Sequence, residues 1–81
     1  MRYEDILLVR LKEVEDEVLH AKERYPDKFN SLHEAYGVIK EEFDELWEEI
    51  KKKDVVMYDV QIEAKQTAAM LLRLLTEFFP L

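Results

Sequence analysis

Glu42, Glu45 and Glu49 stand three and four residues apart, a spacing that sets all three carboxylates on one side of an α-helix. At about 100° per residue, with Glu42 at zero, Glu45 falls near −60° and Glu49 near −20°. Ile39, Phe43, Leu46 and Ile50 form an apolar stripe beside them, at roughly 40° to 100° by the same arithmetic. A sparser row follows: Asp59, Glu63 and Gln66, spaced four and three, with Met70 continuing it. Oxygen donors of this kind hold hard cations. With no Cys in the chain and no His in either row, the donor set favours Mg²⁺ or Mn²⁺ over zinc. The competing reading is plain surface, because Glu is a good helix former and Glu-rich faces are usually solvated. Glu41, Asp44 and Glu48 read that way. What favours a site is the match between the two rows.

Bringing the rows together takes two helices and a short connection. The second helix of the chain starts near Ser31, whose hydroxyl can cap it while Glu34 reaches back as a capping box. It runs to Lys51, Lys52 and Lys53, cations suited to a helix C-terminus. Asp54 reads as the N-cap of a third helix that ends near Phe78, before Pro80. So short a connection predicts an antiparallel pair. With a turn near Lys53, Glu45 and Glu63 stand about 12 and 15 Å above it, at 1.5 Å per residue. Glu42 and Gln66 match one layer higher. A first helix is predicted from Leu7, Leu11, Val14, Val18, Ala21 and Tyr25, one apolar stripe that Pro26 and Asp27 terminate. The third helix is apolar in nearly every direction from Ala68 to Leu75, with Arg73 the exception. A helix hydrophobic all round is buried all round, so a second subunit is expected to cover it. The expectation is an all-α, three-helix chain, one domain over 1–81, with an antiparallel hairpin of its second and third helices, assembling into an oligomeric helical bundle.

Glu42-Phe43-Asp44-Glu45, followed after 17 residues by Glu63-Ala64-Lys65-Gln66, resembles the Glu-x-x-Glu … Glu-x-x-Asp signature of the MazG-like nucleotide pyrophosphohydrolases, the all-α NTP pyrophosphatase superfamily. The resemblance covers roughly residues 29–76 and includes the hairpin layout and the apolar run after the second motif. It implies that Glu42, Glu45 and Glu63 bind Mg²⁺, and that a nucleoside triphosphate is cleaved to its monophosphate and pyrophosphate. It also implies a homodimer or homotetramer. The family's last Asp is Gln66 here; its amide oxygen can ligate a hard cation but brings no charge. Glu49 and Asp59 are the auxiliary candidates. The chain has no Gly-rich phosphate loop, so phosphate binding would fall to the metal.

The remaining composition narrows the field. Net charge is −7, which repels nucleic acid and anionic membranes. One Gly and two Pro leave too few turn formers for an all-β domain. Zero cysteines exclude disulfides and thiolate zinc sites and fit a reducing compartment. The N-terminus shows no signal-peptide pattern and no apolar run reaches membrane length, so a cytoplasmic protein is expected. Glu17-x-x-His20 has the spacing of half a di-iron site, but only one copy exists. Glu13, Glu17, His20 and Arg24 therefore read as a solvated ion-pair row, and His33 as surface. Phe29, Tyr36 and Trp47 can stack a nucleobase, although at this spacing such residues more often serve core or interface. The lysine run reads as capping. No Ser-His-Asp or Cys-His arrangement is visible. The enzyme reading competes with a non-catalytic oligomerisation or partner-binding module of the same fold, and with a scaffold whose Glu stripe is surface.

Overall fold

The computed structural model describes residues 1–81 and places them in three helices: α1 (Tyr3–Arg24), α2 (Leu32–Ile50) and α3 (Met57–Phe78). The α2 start follows from local chemistry. Ser31 Oγ accepts the backbone N–H of Glu34 at 3.0 Å. The Glu34 carboxylate reaches back one residue further than a capping box would, accepting from the backbone N–H and Nδ2 of Asn30 at 3.1 and 2.8 Å. Asp54 does not cap α3. The helix begins at Met57 after Val56, which is extended and offers no side-chain cap. Val56 is β-branched and stiff at χ1, which suits an extended residue.

α3 is the central element. Both α1 and α2 pack on it, and they do not pack on each other. Only five residues are buried, namely Phe29, Ala35, Thr67, Ala69 and Arg73, because each outer helix has a single neighbour. On α2 the covered arc holds Ala35, Val38, Ile39, Glu42, Leu46 and Glu49, centred within about 20° of Glu42. The predicted apolar stripe is thus only half covered: Ile39 and Leu46 are half-buried, while Phe43 is 60% and Ile50 43% exposed. Tyr36 and Trp47 extend this uncovered arc. α3 also keeps one open arc, carrying Leu71, Leu72, Leu75 and, past its end, Phe79. On α1 only Val14, Val18 and Ala21 of the predicted stripe are half-buried, and residues 1–12 are all exposed. No helix is long and apolar enough to cross a membrane.

One carboxylate, on a side chain only 6% exposed, ties the α1–α2 connection to α3. Glu77 accepts the backbone N–H of Phe29 at 2.7 Å, Arg73 Nε at 2.9 Å and Lys22 Nζ at 3.2 Å. Lys22 also donates to the Asp27 carbonyl at 3.1 Å. The Arg73 guanidinium lies 4.1 Å from the Phe29 ring centroid, a cation–π contact. Arg73, the exception in an apolar helix, is therefore buried because a partner four residues on neutralises it.

Candidate metal centre

Glu42 and Glu45 come from α2 and Glu63 from α3, and one oxygen of each lies within 4.8 Å of the others. The sequence arithmetic placed Glu45 and Glu63 at similar heights, and the packed arc of α2 centred on Glu42 turns the row toward α3. Glu42 and Glu63 are half-buried, whereas Glu45 is exposed, so the cluster opens to solvent on the Glu45 side. Glu42 Oε2 and Glu63 Oε2 are shielded from water and have no hydrogen-bond partner. Buried polar atoms are seldom left so.

The electrostatics follow from this packing. Burial, then the charges of Glu45, Glu63 and Glu41, push Glu42 above the usual carboxylate range. Burial, then Glu45, Glu49 and Asp59, push Glu63 up as well. No cationic side chain answers them. Lys52 is taken by Glu49, at 2.6 Å, and Lys65 turns away to Glu13 of α1, at 3.0 Å. The Thr67 hydroxyl bonds the Glu63 backbone carbonyl at 2.8 Å and leaves its carboxylate free. An all-oxygen donor set with two orphaned buried atoms and excess negative charge fits a hard divalent cation.

Because α1 and α2 both pack on α3 and not on each other, a gap of about 660 Å³ remains among them. Its floor is Gln66, Ala69, Met70 and Arg73 of α3. Glu17, His20, Ala21 and Arg24 of α1 form one wall, and Glu34, Val38 and Glu42 of α2 the other. The connection closes it with Tyr25, Phe29 and its neighbours. Glu42 belongs to both the cavity and the cluster. Three of the four residues read as a solvated row on α1 thus line a cavity, and the fourth, Glu13, bridges to Lys65. Of the aromatic candidates, Phe29 lines the cavity, while Tyr36 and Trp47 lie on the open arc of α2. His33 is exposed. Of the auxiliary candidates, Glu49 is held by Lys52, and Asp59 is near enough to Glu63 to raise it. No local pattern in the sequence signals the cavity, whose lining is drawn from α1, α2, α3 and the α1–α2 connection. Among family models, curated proteins and solved structures, no match to this chain was found.

Proposed function

We propose that this chain is a Mg²⁺-dependent nucleoside triphosphate pyrophosphohydrolase of MazG-like type, releasing pyrophosphate and a nucleoside monophosphate. The observation that carries the reading is the convergence of Glu42, Glu45 and Glu63, with two buried oxygens unpartnered. It joins the two motif halves that resemble the family signature. Glu42, Glu45 and Glu63 would hold the cation. When bound, Mg²⁺ (or Mn²⁺) supplies positive charge that offsets the negative charge developing on a transferred phosphoryl group. Glu42 and Glu63, half-buried and raised, gain most from that charge. Exposed Glu45 guards the entrance through which a polyphosphate would approach. The adjoining cavity, within the usual range of about 300–1,000 Å³ for small-molecule sites, would receive the nucleoside.

In this reading α2 and α3 form an antiparallel hairpin, and a second or further copies cover the open arcs of α2 and α3 in a cytoplasmic homodimer or homotetramer. Neither nucleic acid nor membrane is a partner of so acidic a chain. The test is pyrophosphate release from a panel of NTPs and dNTPs with Mg²⁺. Mg²⁺ binding without release from any of them would instead favour the non-catalytic module, a reading favoured by Gln66 standing where the family has a fourth acid.

A further inference from the structure

We infer that Gln66 is a specificity-determining residue, hydrogen-bonding the heterocyclic group of the substrate rather than serving as a fourth metal ligand; this rests on the pyrophosphohydrolase reading above. Gln66 lies on the cavity floor beside Ala69 and Met70, and Glu42, which lines the same cavity, also belongs to the cluster. Its neighbours spend their side chains elsewhere, Lys65 on Glu13 and Thr67 on the Glu63 carbonyl. The Gln66 amide itself has no partner in the chain.

The chemistry of the two roles separates them. Glu42, Glu45 and Glu63 already offer one divalent cation three carboxylates, whose full charge would exceed its own, and a neutral amide brings it no further charge. An amide instead presents a donor and an acceptor together, the pattern found along the edge of a heterocyclic base. Ala21, Phe29 and Val38 supply apolar surface for a flat ring among the charged groups of the lining. Discrimination by such a hydrogen-bonding group is large: a pocket that differs only in apolar fit separates ligands by about 10–200-fold, and one that hydrogen-bonds them by far more. A carboxylate at this position would bring another negative charge beside Glu42 and Glu63. The amide avoids that charge and keeps the hydrogen-bonding pattern.

The test uses the full chain, ¹⁵N-labelled, with adenosine, guanosine, cytidine and uridine as probes in Mg²⁺-free buffer. At least one nucleoside is expected to shift the Gln66 side-chain amide signal more than the others do. Gln66→Met keeps the length and removes the amide, at a half-buried position that tolerates it. In this variant the Mg²⁺ concentration at half-maximal thermal stabilisation should stay within about twofold, while the ratio of kcat/KM between best and worst nucleoside triphosphate falls at least about tenfold. A Gln66→Met variant whose Mg²⁺ midpoint weakens about tenfold or more with that ratio intact would make Gln66 a ligand and overturn the inference. So would four nucleosides that leave the Gln66 amide unmoved, even where Mg²⁺ binds and pyrophosphate is released. A native protein indifferent to Mg²⁺ would sink the pyrophosphohydrolase reading instead, and a selective nucleoside shift at Gln66 would still support its role in recognition.

Discussion

Glu42 and Glu63 give the metal-free protein a pH dependence of definite sign. Their carboxyls are raised in the folded chain, so the folded state binds protons more tightly than the unfolded one. The stability they contribute is fully present below the ordinary carboxylate pKa and is lost as pH rises through the raised values. Mg²⁺ should cancel that loss: at neutral pH it raises the melting temperature, and in acid, where the carboxyls are protonated, it does little. At 100 times Kd the gain is about 2.7 kcal/mol, and each kcal/mol shifts a domain of this size by roughly 4–8 °C. Glu45→Gln should abolish the Mg²⁺ effect yet leave the metal-free protein as stable or more so, since one like charge is gone. Gln66→Met, which removes no charge, should leave the metal-free melting temperature nearly unchanged. A melting curve indifferent to Mg²⁺ and to Glu45→Gln would make the stripe mere surface. Glu77 runs the other way. Burial pushes it up, but Arg73, the Phe29 N–H and Lys22 together outweigh burial and hold it low. Its contribution is present above the ordinary carboxylate pKa and lost as pH falls through the lowered one. Its side chain is 6% exposed and that of Arg73 8%, so Glu77→Ala leaves a buried cation unpaired. We expect a loss of about 3–5 kcal/mol in chemical denaturation, against no more than about 1 kcal/mol for exposed pairs such as Lys40–Asp44.

Among the elements, the α3 N-terminus is the weakest local fit. Val56 offers no cap, and Asp54 stands two residues too early. Val56→Asp would give the first turn an acceptor and an anion near the positive end of the helix dipole, for about 0.5–2 kcal/mol of stability measured by denaturant midpoint. Much of the helical layout was legible. Ser31 and Glu34 mark the start of α2, Pro26 and Asp27 the end of α1, and the alternating three- and four-residue spacings the helices themselves. The packed arc of α2 was less so. Periodicity located an apolar stripe centred on Ile39, Leu46, Phe43 and Ile50, whereas α3 covers an arc rotated toward Glu42. A hydrophobic pattern reports apolar surface, and does not say which part of it a neighbour in the same chain covers. The cluster was legible because helical rise alone sets Glu45 and Glu63 level. The cavity was not, since it depends on how α1 and α2 are set apart on α3, which no local pattern encodes.

As a whole, the molecule keeps a great deal of apolar surface open. Trp47 is 56% exposed and Leu75 57%, on apolar arcs of the kind that mark interaction sites. Sedimentation at micromolar concentration should show a dimer or tetramer, and Trp47→Glu with Leu75→Glu should shift it toward monomer while weakening cooperative unfolding. A compact, cooperatively folded monomer of the native chain would overturn the assembly. The central place of α3 has a further consequence, in time rather than space. The three acidic residues of the cluster all lie on α2 and α3, joined only by residues 51–56, and short loops close fast, in about 10–100 ns for ten residues. α1 touches this pair through α3 alone, by Glu13 pairing with Lys65 in its middle and Lys22 reaching Glu77 at its C-terminal end. The cluster can therefore assemble before α1 docks, and α1 can detach without dismantling it. Backbone amides of α1 should exchange with solvent sooner than those of α3, and sooner at Leu7 than at Ala21. The cavity, which needs α1 for one wall, would then open and close with that helix while the carboxylates stay in place.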